Sequence, residues 1–480
     1  MNLKPFLLFG SLLLLNSQLI QAAGLLLPDR GLRQDLDWLN SRGVISINLA
    51  VWPLSQEEID AALDNAKPSN TTDSMVLNRV QQHLQNIKAP VQISAYAGSQ
   101  LNAMTSGFGQ TEHDQRRASV AGQWQNPDFD VRLQANLVGG DGGRKPSHWL
   151  PANSYAAAKV GNQWLSFGQI PRYWGPGQEG SLILGDAARP VTAFSLQRAE
   201  QKPFETPLLS WLGRWQYQVF AGQLSQYDAI PNTKLIGMRV DLMPTDYLQL
   251  GAHRVFQWGG ENRPQSLKSF GKAFLGKGEN EESADKSNEP GNQIAGLDIQ
   301  LKLQPLVDVP VNLYAQMVGE DEAGYFPSKK AYLFGIRGAH AWNANTINWS
   351  LEGADTRVEF KDTGIIYGHH LYRDGYYQQG LPLGYALGGD AQNISARLAV
   401  TTPDQQTFSG HVMHAKVNPT NQRNNERYSH NDTLNGVALG WEKTFKNGLN
   451  LGSQLWYVDS QNHQHDHGFG AGMKLSMPLR

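Results

Sequence analysis

Leu297, Ile299, Leu301 and Leu303 fall on one side of an extended chain, and Asp298, Gln300 and Lys302 fall on the other. Side chains of a strand change sides at every residue, so this segment has one greasy face and one polar face. The pattern recurs. Val131, Leu133, Ala135 and Leu137 alternate with Asp130, Arg132, Gln134 and Asn136; Trp215, Tyr217, Val219 and Ala221 alternate with Gln216, Gln218, Phe220 and Gly222. Ile236 to Leu242, Ile347 to Gly353 and Phe469 to Leu475 repeat it. Such strands suit a sheet closed between lipid and a wet lumen. The fold class expected is an all-β transmembrane barrel of antiparallel strands. Candidate segments number roughly 16 to 20, and single-chain bacterial barrels take even numbers, so eighteen is the expectation. Aromatics at strand ends, such as Trp164, Tyr247, Trp441 and Trp456, read as girdles.

Before residue 91 the period is helical. Leu32, Leu36 and Leu39 share a face and Gly43 follows as a stop; Ser55 and Glu58 have capping-box spacing for a helix to about Ala66. Val76, Val80, Leu84 and Ile87 predict a third helix ending before Pro90. Residues 24–90 are therefore expected to form a small helical bundle, with a core too thin to stand alone, docked on the periplasmic mouth of a barrel over 91–480. Residues 1–23 read as a signal peptide: Lys4, an apolar run from Phe6 to Leu15, then Ala22 and Ala23.

Composition narrows the functions. No cysteine occurs, which excludes disulfides and thiolate metal sites, and the net charge of −2 gives no reason to expect nucleic acid. Long connections are expected at 170–214, 257–292 and 356–392, and long barrel loops are extracellular. They mix flat aromatics with carboxylates, amides and guanidinium groups on glycine-rich backbone: Gly168 to Gly177, Gln257 to Pro264, Gly319 to Tyr325 and Tyr372 to Gly380. Sugars ask for that mixture, stacking their C–H faces on Trp and Tyr and bonding their hydroxyls to polar tips. The same residues serve equally well to knit loops together across a wide lumen. The candidate polysaccharide-binding residues are Trp174, Trp258, Arg263, Glu320, Asp321, Tyr325, Asp374, Tyr376 and Tyr377. His463, His465, Asp466 and His467 read as a solvated turn, and no nucleophile elbow or phosphate loop occurs, so neither a metal, a cofactor nor a catalytic set is expected.

In these segments the chain resembles the Wzi family of outer-membrane capsule assembly proteins. The resemblance lies in Trp52 to Glu58, Asn162 to Pro190, Gln257 to Leu267, Gly291 to Gly296, Gly319 to Pro327 and Tyr372 to Asp390. It implies an eighteen-stranded barrel closed by inward loops, acting as a surface lectin for capsular polysaccharide; a non-catalytic monomer embedded in outer-membrane lipid is the expectation. The rival readings are a diffusion porin or sugar channel, and an enzyme acting on lipid or glycan. With the lumen closed, Asp298, Gln300 and Lys302 are expected to support a filled interior.

Overall fold

The computed structural model describes residues 24–480 except 106, 110–111, 141, 146, 275–290, 321, 324–325 and 463–466, with backbone alone at 322–323 and 326–327. The expected signal peptide lies outside the described residues. Three helices come first: α1 (Arg30–Ser41), α2 (Gln56–Asp64) and α3 (Thr71–Ile87). The wall begins with β1 (Val91–Gly98), β2 (Arg116–Gln125) and β3 (Phe129–Gly139). Next, β4 runs in two pieces, Trp149–Leu150 and Tyr155–Val160, both paired to β3. Then follow β5 (Gln163–Gln169), β6 (Thr192–Arg198), β7 (Arg214–Gln223), β8 (Lys234–Thr245) and β9 (Leu248–Trp258). After a short α4 (Leu267–Phe274) come β10 (Gly291–Lys302), β11 (Val311–Glu320), β12 (Lys330–Trp342) and β13 (Asn345–Asp355). Last are β14 (Gln392–Thr401), β15 (Gln406–Val417), β16 (Asp432–Thr444), β17 (Asn450–Ser460) and β18 (Gly468–Leu479). Each strand pairs antiparallel with its neighbours, and β18 returns to β1 from Leu479↔Val91 to Gly472↔Gly98, closing an 18-strand barrel.

Because β1 leaves directly from α3, connections after even-numbered strands share an end with the helices, and those after odd-numbered strands form the opposite, loop end. The connection expected over 170–214 therefore divides. Thr192–Arg198 is a wall strand, leaving 170–191 at the loop end and 199–213 at the helix end. The third expected connection is a single loop over 356–391.

Parity along β10 is as the alternation demands. Leu297 and Ile299 are 51% and 44% exposed on the outer wall, while Asp298, Gln300 and Lys302 are buried inside. Lys302 Nζ donates to Asn40 Oδ1 of α1 at 2.7 Å, and Gln300 Oε1 accepts from Arg337 Nη2 at 2.8 Å. Trp164 and Trp456 depart from the girdle expectation and face inward, both buried. Trp456 lies flat across β18, where a methyl at Gly470 would sit 2.1 Å from its ring. Glycine there lets an inner-wall aromatic lie down. At the helix end the outer rim is carried by Trp124, Phe129 and Trp342, all exposed.

The helices sit differently from a bundle stacked below the mouth. Leu32, Leu36 and Leu39 pack with Val76, Val80 and Leu84 of α3, as the spacing predicted. The other face of α1 is buried although polar: Asn312 Nδ2 donates to Ser41 Oγ at 2.8 Å, and Arg337 pairs with Asp37 at 3.0 Å. Thus α1 lies within the lower lumen, against inward-facing wall residues. The expected capping box is replaced by other contacts. Ser55 Oγ donates to Glu57 Oε2 at 2.6 Å, and Glu58 accepts from Gln201 N of the 199–213 connection at 2.7 Å.

Wall charges are paired inside. Arg239 of β8 holds both Asp241 and Asp298 through two bonds each, from 2.6 to 3.0 Å, with side chains no more than 1% exposed. Removing one member strands buried charges. Arg239→Ala is expected to destabilise the barrel by about 3–5 kcal/mol, while apolar residues of similar volume at all three positions restore most of it. Urea unfolding in detergent checks this, and an unchanged midpoint for Arg239→Ala contradicts it.

Candidate functional site

The loop over 170–191 descends through the lumen to the helices. Its strand Tyr173–Trp174 pairs antiparallel with Val51–Trp52 of the N-terminal segment, Tyr173↔Trp52 and Trp174↔Val51. Gly175 N continues the ladder to Ala50 O at 2.8 Å. Phe108, from the loop after β1, meets Trp52 and Tyr173 with ring centroids 4.9 Å away from each, and Arg33 of α1 lies 4.2 Å from the Phe108 ring. The wall grips the same loop. Gln316 Oε1 of β11 accepts from Leu182 N at 2.8 Å, and Glu352 of β13 accepts from Gln178 N at 2.7 Å and Glu179 N at 3.1 Å. Glu179 is fully buried; burial alone would raise its carboxyl, but Arg397 and His411 hold it well below the ordinary range. Beside this stopper, between α1, α3 and the wall of β14–β18, a cavity of about 200 Å³ remains, lined by groups such as Arg30, His83, Glu442 and Lys474.

The loop over 356–391 seals the top. Tyr376 OH donates to Ile183 O at 2.7 Å, Tyr367 OH donates to Leu182 O, and Glu320 at the tip of β11 accepts from Tyr367 N. These contacts decide the roles of several expected site residues. Trp174, Tyr376 and Tyr377 are at most 2% exposed, so their rings pack the stopper and offer no stacking face. Glu320 is likewise buried as an anchor. Trp258 points outward from the barrel and meets Phe270 edge-on at 5.4 Å, away from the lumen and its seal. Asp321 and Tyr325 lie outside the described residues.

Arg263 and Asp374 remain at the loop-end surface. Arg263 lies 5.9 Å from the Tyr372 ring, and Asp374 Oδ2 accepts from Asp228 N and Ala229 N. Asp228 pairs with Arg144 at 2.8 Å, and Arg144 also pairs with Glu426. Below them Arg189 makes two 2.9 Å bonds to Asp114. The result is a band of guanidinium and carboxylate groups, fed by several loops and resting on a packed aromatic floor. Chemically it can bond hydroxyls and sugar carboxylates, since arginine donates in a fixed fork and carboxylates accept.

The family described as capsule assembly protein Wzi matches residues 79–475. The chain belongs to the Wzi family. It is similar to an uncharacterized 55.8 kDa protein in the cps region of Klebsiella pneumoniae, 46% identical over 95% of this chain and 90% of that one. Its fold is similar to the structure of Wzi from Escherichia coli, described as an outer-membrane protein involved in group 1 capsule assembly and a carbohydrate-binding β-barrel. That match has a TM-score of 0.89 and 44% identity, and covers 95% of this chain and 99% of the other. As a Wzi-family barrel, the chain resides in the outer membrane.

Sequence reasoning missed Arg144, Asp228 and Glu426, which sit in shorter loops outside the glycine- and aromatic-rich runs. The local signals were the glycine run before Arg144 and the tyrosines Tyr227 and Tyr428 beside Asp228 and Glu426. Asp186 lies in the stretch Asn162 to Pro190 but was not among the candidate residues; its Oδ2 accepts from Gly109 N at 2.8 Å deep in the stopper. Burial pushes the Asp186 carboxyl from 3.8 up to about 7, against the pull of that N–H and of Arg33 and Arg30. Between those values the folded chain binds more protons than the unfolded one, so this group's contribution falls as pH rises from 3.8 to about 7. Asp186→Asn keeps an acceptor for Gly109 and removes the slope. In thermal unfolding at pH 5 and pH 8, the variant is expected to lose less stability than the native chain; equal losses contradict the assignment.

Proposed function

We propose that this Wzi-family barrel is an outer-membrane lectin that holds capsular polysaccharide at the cell surface, with its loop end outward and its helices toward the periplasm. It acts without catalysis and as a monomer. The observation that carries this reading is the stopper: a lumen filled by a strand pairing, α1 and aromatic packing leaves the rim of the loops as the working surface. The carbohydrate-binding description of the 44%-identical barrel supports it.

Of the residues expected from sequence, Arg263 and Asp374 keep a contact role, joined by Arg144, Asp228 and Glu426. Asp321 and Tyr325 stay candidates on their residue types alone. Trp174, Tyr376 and Tyr377 act one layer down, fixing the loops whose rims carry the charges. Each contact between an exposed charge and a sugar is weak, near 1 kcal/mol. A repeating polymer engaging many barrels gains hold by avidity.

The test replaces Arg144 and Arg263 by Gln and Asp374 by Asn in one chain, then measures cell-bound and released capsule. The expected result is a shift of capsule from cells to medium, with barrel amount and heat-modifiable migration unchanged. Unaltered retention with a normally folded barrel contradicts this surface as the binding site.

A further inference from the structure

The described part of the loop between β9 and β10, residues 259–274, does not descend into the lumen as the 170–191 loop does. It carries α4 along the outside of the wall. Ile236 and Met238 alternate with inward-facing Leu235 and Arg239, and Phe256 alternates with inward-facing Val255 and Gln257, so all three point away from the lumen. On that same outer face of β8, Val240 is 45% exposed. Ile236 and Phe256 are nevertheless buried, because Phe270 and Ala273 of α4 cover them. Phe270 lies 6.0 Å from Phe256, and Arg254 Nη2 donates to Ala273 O at the end of α4. Ile236 and Phe256 are cross-strand partners close to the last rung, Lys234↔Trp258, so α4 sits high on the wall at the loop end.

What α4 leaves uncovered is divided. At about 100° per residue, Ser269 and Ala273 face the wall, Leu267 and Phe274 fall along one edge, and Lys268 and Lys272 fall along the opposite edge. Leu267 is 90% exposed and Phe274 43%, and both lysines are exposed. An apolar edge continuous with a lipid-facing wall, opposed by a basic edge, is the plan of a helix lying in a membrane interface.

We infer that α4 is an interfacial helix that seats anionic, phosphate-bearing lipid of the leaflet at the loop end. Acyl chains lie against Leu267, Phe270 and Phe274, and phosphates meet Lys268 and Lys272. The inference goes beyond polysaccharide binding and rests on that reading only for the outward orientation of the loop end.

The chain has no cysteine, and a side chain at Gly271 meets open space, so Gly271→Cys offers a single labelling site on α4. A spin label there, in the full-length barrel reconstituted with diphosphoryl lipid A, is expected to be reached by oxygen more than by a nickel chelate. Lys268→Gln with Lys272→Gln is expected to weaken lipid A binding roughly 10- to 30-fold and to leave phosphatidylcholine association unchanged. A label relaxed by the nickel chelate as in water, or equal lipid A binding by the double variant, overturns the inference. A membrane-impermeant maleimide applied to intact cells carrying Lys361→Cys, a solvent-exposed position of the 356–391 loop, separates the two readings. Labelling with failed lipid A binding sinks this inference alone, and no labelling sinks the outward orientation as well.

Discussion

The ring turns many charges and amides inward, among them Asp298, Gln300, Lys302, Gln316 and Glu352, and those groups must find partners where bulk water is scarce. An unpaired buried charge or amide costs several times what a satisfied one contributes, so the lumen of so wide a barrel has to be either flooded or furnished. Here it is furnished. The decisive contact is the antiparallel pairing of Tyr173–Trp174 with Val51–Trp52, which ties a loop-end segment to the helix-end segment through the middle of the barrel. Gln316, Glu352 and Arg337 on the wall each bond that loop's backbone, the last through Pro176 O at 2.9 Å.

This arrangement makes the two parts depend on each other. Residues 24–90 carry a thin apolar core, and α1 buries Arg33 and Asp37 against partners that belong to the barrel or the descending loop, while Asp35 pairs with Arg79 of α3. The wall in turn relies on Asn40 and Ser41 of α1 to satisfy Lys302 and Asn312. Stability and function are thereby linked. With the interior committed to packing, the surface we propose for recognition is the loop rims, where Arg144, Asp228 and Asp374 stand over a floor of buried tyrosines.

Much of this was legible in the sequence, and the failures have physical causes. Alternation over Leu297–Leu303 fixed which side chains face in, because parity is local. Helix positions followed from Leu32, Leu36 and Leu39 for the same reason. The facing of Trp164 and Trp456 did not follow, since a tryptophan in a strand suits either a lipid girdle or an inner partner distant in sequence: Trp456 lies over its cross-strand neighbour Gly470, and Trp164 Nε1 donates to Glu57 at 3.2 Å. Trp174 and Tyr376 stand in glycine-rich loops whose composition is the same for a sugar platform and a stopper. The Arg144 pairs span 84 and 282 positions, beyond any local pattern. By contrast, the spacing of Leu267, Phe270 and Phe274 was a readable helix signal obscured by the polar stretch after it.

The central claim is that the descending loop is permanent core of the barrel, not a lid over a passage. Backbone amide hydrogen exchange in detergent or nanodiscs tests it most directly. Trp174 N donates to Leu184 O at 2.9 Å and Gly175 N to Ala50 O at 2.8 Å, both inside the lumen. The account predicts that these two amides exchange as slowly as the rungs of β10 and β11, opening only with the whole barrel. Exchange at the rate of the surface loops would contradict it and return the lumen to the status of a gated path.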